Sequence, residues 1–349
     1  MGEKKGMSRR AVTVMQSFGA PRPTSNPYVH LLDRALARTD GIDHLRFDRR
    51  RALFGRYDAL HFHWPETLFG GGNRIKAAAR TLYATALVAR LSLGRIAVIR
   101  TVHNLELPRD VTAWQRRLLV RIDRVADHRI VLNENTPVPP GAASTLVPHG
   151  HFGEWFRDAP APAPQPRTLG FVGLVRRYKG VEELLAAFAE TAPTHPDWSL
   201  RVSGNPTSGA LGEEVRARAA TDQRVSTDLR FLSEDDFASA VRSCSAVVLP
   251  YRHMHNSGAV LAALSLGRPV LVPDNAVNRS LRDEVGHAWV HLYREDISAD
   301  ALRALMAAVG DGPPAGSPTL DARDWSAAGL RHRTAYRLAV RARRSRGRG

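Results

Sequence analysis

Two stretches concentrate groups suited to holding an anion: GLVRRYKG, residues 173–180, and HMHNSGA, residues 253–259. In the first, Gly173 lets the backbone turn closely, and Arg176, Arg177 and Lys179 supply positive charge just ahead of a helical pattern. In the second, Asn256 or Ser257 can cap a helix, which leaves the amides of Ser257, Gly258 and Ala259 as donors at its positive end. Gly258 has no side chain, so an anion can approach the backbone there. Guanidinium and ammonium groups beside a helix N-terminus suit a diphosphate, which arginine binds with two parallel hydrogen bonds. A turn-rich loop, SGNPTSG, lies between them in sequence, and its Gly204 and Asn205 offer small polar edges to a ligand. His253, His255 and Asn256 are the polar groups nearest the capped helix. Each feature alone has an ordinary reading: a solvated charge cluster, a plain strand-to-helix loop, a helix cap.

The first half of the chain carries histidines and carboxylates instead. HFHWPE holds His61, His63 and Glu66; TVHNLELPRD holds His103, Asn104 and Glu106; LVPHGHFGEWF holds His149 and His151. Histidine titrates near neutrality and can take a hydroxyl proton, so His103 is a candidate general base, with Glu66 and Glu106 as carboxylate alternatives. His61, His63, Asn104, His149 and His151 are candidate acceptor contacts, although His149 and His151 also suit a role in pinning a domain boundary. HFH is read as turning its two histidines to opposite faces of a strand, so no histidine metal site is expected.

These groups must be positioned by alternating strands and helices. Strand-type runs start at Ala11, Ala59, Ile96, Arg129 and Thr145, with helical patterns near residues 27–38, 74–93 and 111–126. DAPAPAPQPR, residues 158–167, then places four prolines in ten residues and reads as a semi-rigid linker. After it, strand-type runs start at Thr168, Trp198, Leu229, Ala246, Val270 and Ala288, with helices beginning near Val181, Leu211, Glu234 and Ser257. Strands separated by helices of this length imply parallel sheets. The expected fold is α/β, with two doubly wound Rossmann-like domains facing a cleft. The expected divisions are an acceptor domain at 1–157, a hinge at 158–167, a donor domain at 168–320, and a C-terminal helix with a basic tail at 321–349 that packs back on the first domain. In such sheets ligands bind beyond the carboxyl ends of the strands, where all the candidate groups fall.

Composition narrows the class. A charge of +16, from 50 basic and 34 acidic residues, implies an anionic partner: nucleic acid, an acidic membrane surface or a phosphorylated ligand. No nucleic-acid motif is present and aromatics are only 7%, which argues against nucleic acid. The single cysteine, Cys244, excludes an internal disulfide and suits a reducing cytoplasm. The charged N-terminus precedes too short an apolar run for a secretory signal. AAARTLYATALVARLSLG, residues 77–94, is interrupted by two arginines and reads as a packed helix or as a basic amphipathic helix on an anionic membrane. The last segment holds eight arginines and reads as a solvated or frayed tail.

FVGLVRRYKGVEELLAAF, VSGNP, VVLPYR and SGAVLAALSLGRPVLVPD together resemble the donor half of a glycosyltransferase of the GT-B fold, similar to glycosyltransferase family 4. The resemblance implies a nucleotide-sugar donor, UDP- or GDP-linked, whose diphosphate is gripped by Arg176, Lys179, Ser257, Gly258 and Ala259. Gly173, Gly204, Asn205, His253, His255 and Asn256 would then surround the sugar or nucleotide. It implies a lipid-linked or saccharide acceptor on the first domain, and no metal or other cofactor. A departure accompanies it: the two carboxylates that the family carries across the last helix fall at Met254 and Ala262, and its first-loop arginine at Leu174. The sequence therefore resembles a divergent bacterial branch acting on exopolysaccharide or glycolipid, cytoplasmic and membrane-associated. The alternatives are a nucleic-acid-binding protein and a nucleotide-sugar epimerase of the same fold.

Overall fold

The computed structural model describes residues 10–69, 73–108 and 111–346. Residues 1–9 of the N-terminal segment weighed as a signal, and the last three residues of the basic end, lie outside the described residues. The chain forms two compact units: residues 1–149 with 323–349, and residues 150–322.

In the first unit, β1 (Val12–Gln16), β2 (Ile42–Leu45), β3 (Ala59–Phe62), β4 (Ala97–Val102), β5 (His128–Val131) and β6 (Ser144–Leu146) form one parallel sheet in the order β2-β1-β3-β4-β5-β6. Its helices are α1 (Pro27–Ala37), α2 (Arg49–Phe54), α3 (Arg74–Leu93), α4 (Ala113–Val125) and, from the far end of the chain, α11 (Trp325–Arg346). In the second unit, β7 (Thr168–Val172), β8 (Ser199–Ser203), β9 (Val225–Asp228), β10 (Ala246–Val248), β11 (Val270–Pro273) and β12 (Val290–Tyr293) pair in the order β12-β11-β10-β7-β8-β9. Its helices are α5 (Val181–Ala189), α6 (Gly209–Ala219), α7 (Glu234–Arg242), α8 (Gly258–Ser265), α9 (Ala276–Val285) and α10 (Ala299–Val309). Strand order reverses between β1 and β3 in the first sheet and between β7 and β10 in the second. Those two switch points are where an open parallel sheet leaves a crevice for ligands.

Local chemistry sets the helix starts. Asn26 accepts the Tyr28 amide ahead of Pro27, which brings its own φ and no orphaned N–H to the first position of α1. Thr112 and Gln115 close a capping box on α4. Central strands β3, β5 and β7 are buried throughout, as expected of strands covered on both faces.

Four readings from sequence change. The strand placed at Leu229 lies just upstream, as β9. The proline segment, read as a semi-rigid hinge, is fastened to the second unit: Arg242 Nη1 donates to the carbonyls of Ala159 at 2.5 Å and Pro160 at 2.7 Å, and Ser245 Oγ donates to Gln165 O at 3.0 Å. Prolines lack an N–H but keep their carbonyls, so a guanidinium can fasten the segment to the second unit. The division between units falls instead at residues 149/150 and 322/323. The basic end is not a frayed tail either. It is helical to Arg346, with Arg343 and Arg346 on the buried carboxylate of Asp127 at 3.2 and 3.0 Å and Arg344 on Asp58 at 2.9 Å. Arg343 also donates to the carbonyls of Ile96 and Leu91.

Candidate active site

At the β7/β10 switch point, two loops close on each other through glycines. Gly173 and Gly204 have φ of 137° and 135°, and a Cβ on Gly204 would stand 2.0 Å from the Gly173 carbonyl oxygen. Gly173 N donates to Ser203 O at 2.9 Å, and Val175 N to Asn205 O at 2.9 Å. The two βα loops are thereby laced into one wall. Gly180, at φ 67°, turns against Pro250, whose carbonyl oxygen would meet a Cβ at 2.1 Å. That close approach carries Lys179 to the end of β10, where its Nζ sits 4.9 Å from the centroid of the Tyr251 ring. Burial first, then the Arg176 charge, lowers the Lys179 ammonium to about 8.

The neighbouring cations divide by partner. Arg177 is held by Glu182 at 2.9 Å and Glu214 at 2.7 Å, and Arg252 by Glu183. Among the described residues Arg176 makes no ion pair. The loop's charge is thus partly consumed in tying it down, and Arg176 and Lys179 carry the remainder. The Tyr251 hydroxyl is buried without a hydrogen-bond partner, and burial raises its pKa. An orphaned buried hydroxyl on a ring that packs against a cation is a place where a ligand oxygen would repair a deficit.

α8 starts at the same edge. Ser257 caps it, with its Oγ accepting from Val260 N at 3.4 Å, so Ser257, Gly258 and Ala259 lie at its positive end. His253 is exposed, while His255 and Asn256 are half-buried. Burial lowers the His255 pKa. Met254, where the resembled family has a carboxylate, is buried; its Sδ meets Asn278 Nδ2 at 3.4 Å and its carbonyl accepts from Asn275 Nδ2 at 3.0 Å. Ala262 is buried within α8.

At the carboxyl edge of the first sheet, His63, Trp64, Glu66, Arg100, His103, Asn104 and Glu106 line one small pocket. The three candidate bases are therefore together. His103 stacks on Trp64 with ring centroids 4.1 Å apart and planes at 18°, and Tyr28 meets it edge-on at 5.2 Å. Burial, with neighbouring imidazoles and Arg100 behind it, holds His103 well below the usual histidine range. Burial raises the Glu66 carboxyl, against a backbone hydrogen bond and the Arg100 charge.

His61 and His63 correct the reading from sequence. Residues two apart share a strand face, and the two rings lie 4.1 Å apart. His61 is fully buried, with Nδ1 2.9 Å from Tyr336 OH and Nε2 2.8 Å from Thr101 Oγ1. It supports the site from beneath and is not placed to touch an acceptor. His149 packs its ring against Tyr28 at 4.9 Å. His151 belongs to the second unit by contacts, with its Nδ1 accepting from Gly153 N at 3.0 Å.

Reading by stretches missed Gln16, Trp64, Tyr251, His332 and Tyr336. Only Tyr251 carried a local signal, the Pro-Tyr-Arg that ends β10. His332 and Tyr336 sit on α11, at the far end of the chain from the strands they support.

The family model for glycosyl transferases group 1 matches residues 166–308. A GDP-mannose:glycolipid 4-beta-D-mannosyltransferase of Xanthomonas campestris pv. campestris is 38% identical over 330 residues, covering 94% of this chain and 93% of the relative. An alpha-D-kanosaminyltransferase of Streptomyces kanamyceticus is 28% identical over 138 residues, 39% of this chain and 35% of the relative. Among solved structures, AviGT4, a glycosyltransferase involved in avilamycin A biosynthesis, superposes with a TM-score of 0.58 at 16% identity, over 95% of this chain and 98% of its own. Anabaena Alr3699/HepE in complex with UDP does so with a TM-score of 0.56 at 12% identity, over 97% and 98%. These two show the GT-B fold.

Proposed function

Because the chain belongs to the glycosyl transferases group 1 family, and is therefore a glycosyltransferase, we propose that it moves a hexose, mannose in the first instance, from a GDP-linked donor to a hydroxyl of a lipid-linked acceptor. The observation that carries this reading is the 38% identity, sustained over 94% of the chain, to an enzyme whose name specifies GDP-mannose and a glycolipid. In this reading the second unit holds the donor. Arg176, Lys179 and the amides of Ser257, Gly258 and Ala259 take the diphosphate, Gly173 and Gly204 let it approach the backbone, and Asn205, His253, His255 and Asn256 supply neutral contacts to sugar or base. The first unit holds the acceptor, with Asn104 and His149 among its contacts.

In the transfer, the acceptor oxygen bonds to the anomeric carbon as the bond from that carbon to the diphosphate breaks. The electron pair leaves on the diphosphate, and the hydroxyl proton passes to His103. Glu66 and Glu106, in the same pocket, provide the negative charge that a protonated His103 needs. Fixed cations and helix-end amides stabilise the departing diphosphate, an effect worth about 3 kcal/mol per well-placed donor. No metal is required in this scheme.

The first unit also suits peripheral contact with an anionic bilayer. α3 has no acidic residue, and its outward residues Ile75, Leu82 and Leu93, 82%, 72% and 90% exposed, fall within about 20° of one another around the helix. Phe54 and Trp114 are exposed on the adjoining helices. No described helix is long and apolar enough to cross a membrane. Paired arginines in α11 and the near-full-length relative leave the nucleic-acid and epimerase readings without support.

The test is thermal stabilisation by GDP, UDP, ADP and their sugars. A selective shift with GDP and GDP-mannose supports the reading; selectivity for UDP compounds moves the donor, and no shift with any nucleotide refutes it.

A further inference from the structure

Beneath the first-unit pocket, six side chains form one unbroken hydrogen-bonded chain: Thr101, His61, Tyr336, Gln16, His63 and His103. All but His103 are at most 2% exposed. Gln16 ends β1 and Tyr336 lies 320 residues later on α11, so the two ends of the chain meet here.

The direction of every bond follows from the amide. Gln16 Nε2 donates to the Tyr336 oxygen at 3.2 Å. The tyrosine's own proton therefore goes to His61 Nδ1 at 2.9 Å, which leaves the His61 proton on Nε2, facing Thr101 Oγ1 at 2.8 Å. On the other side Gln16 Oε1 can only accept, so His63 Nε2, 3.1 Å away, carries the proton and His63 Nδ1 carries the lone pair. The group facing that lone pair is His103 Nε2 at 3.4 Å, which must then be an N–H. The Trp64 stack and the Tyr28 edge hold the His103 ring from turning over.

We propose that Gln16, Tyr336 and His63 are positioning residues that fix His103 as the neutral imidazole protonated on Nε2, making Nδ1 the nitrogen that takes the acceptor's proton. This rests on the reading of His103 as the base. Neutral imidazole has two tautomers of similar energy, and only the one with its lone pair toward the hydroxyl can accept the proton. An orienting neighbour of this kind acts without touching substrate. Burial of the whole chain, and the 4.1 Å between the His61 and His63 rings, keep the relay uncharged and so preserve its direction.

The experiment is long-range proton–nitrogen NMR on the full chain labelled with 15N-histidine, with the His103 signals assigned by their loss in His103→Gln. The Nε2–H pattern is expected in the native protein. In Gln16→Met, which keeps the length but drops the amide, His103 should become a mixture, with kcat lower in proportion to the competent tautomer lost, roughly two- to fivefold, and KM for the donor unchanged. If Gln16→Met does not fold, Tyr336→Phe breaks the neighbouring link while keeping the ring, and should shift the same signals. An Nδ1–H pattern in the native protein, or an unchanged tautomer in Gln16→Met, overturns the inference while an inactive His103→Gln leaves the base reading standing. Normal turnover by His103→Gln overturns both.

Discussion

Replacing His332 by leucine tests how the buried histidines of the first unit set its response to acid. His332 is 1% exposed on α11; its Nδ1 donates to Ala328 O at 2.8 Å, and its Nε2 is buried without a partner. The rings of His61 and Tyr336 stand 5.7 and 5.8 Å away, and neither offers a negative charge. Burial therefore lowers the His332 pKa from 6.5 to about 4, against the weaker pull of the Ala328 carbonyl. The sign follows from which state binds more protons. Below pH 6.5 the unfolded chain is protonated at this position and the folded chain is not, so stability falls as pH drops, until the folded group titrates near 4. Integrating between those two values gives a loss of about 2 kcal/mol at pH 5 and about 3 kcal/mol at pH 4 from this residue alone. His61, His63 and His103 act in the same direction, so the readout is a difference between proteins. Urea unfolding of wild type and His332→Leu is followed at pH 7 and pH 5. At pH 7 the two should be of similar stability, since the substitution removes an unsatisfied buried nitrogen along with its one hydrogen bond. Between pH 7 and 5 the variant should lose about 2 kcal/mol less than wild type. Equal losses in the two proteins would show that His332 does not titrate as its burial requires.

Three further outcomes follow from the geometry. Gly204→Ala should destabilise the second unit by roughly 3 kcal/mol, because φ and the Gly173 carbonyl both forbid a Cβ; Gly267→Ala, at φ 68° with open space around it, should cost about 1 kcal/mol, and equal melting shifts for the two would contradict this. GDP affinity should weaken roughly tenfold between pH 7 and 9 as Lys179, titrating near 8, loses its charge, while Lys179→Arg stays flat; calorimetry at the two pH values decides. Leu82→Glu and Leu93→Glu should each cut co-sedimentation with phosphatidylglycerol-containing vesicles by about tenfold at unchanged thermal stability, since each leucine is exposed on α3; undiminished binding would remove α3 from the membrane contact.

The parallel architecture was legible because buried strands are apolar runs: TLGFV and ALHF announce themselves without context. The edge strands β2 and β9, IDHL and VSTD, did not, since an edge strand is covered less completely and carries polar residues that read as loop. α9 escaped for a related reason, as Asn278 occupies one of its buried positions. In the donor seat, glycines and cations clustered after strand ends were visible locally, but only the structure separates Arg177, consumed by Glu182 and Glu214, from Arg176. In the first unit, sequence singled out His103, Glu66 and Glu106, which the fold brings to one pocket, but not what lies beneath them. Gln16 and Tyr336 have no local pattern to betray them, because their pairing depends on α11 returning to the first sheet. The terminal arginines looked like a solvated tail for the same reason: Asp127 and Asp58, the partners of Arg343, Arg344 and Arg346, lie more than two hundred residues upstream.

If the second unit holds the donor as proposed, the absence of carboxylates at Met254 and Ala262 bears on its electrostatics as well as its selectivity. With Met254 packed against Asn278 and Ala262 inside α8, neither position can accept a hydrogen bond from a sugar hydroxyl. The acids that follow the basic loop, Glu182, Glu183 and Glu214, answer Arg177 and Arg252. In the proposed donor seat Arg176 and Lys179 would therefore meet the diphosphate with their charge undivided, and charge-assisted bonds of this kind contribute about 2 kcal/mol each. Neutral partners such as Asn256 and His255 would contribute about 1 kcal/mol each to the sugar on that reading. A seat with that balance holds the nucleoside diphosphate far more firmly than the hexose. Discrimination among sugars must then come from fit in the transition state rather than from ground-state affinity, and GDP should compete with GDP-mannose at nearly equal concentrations.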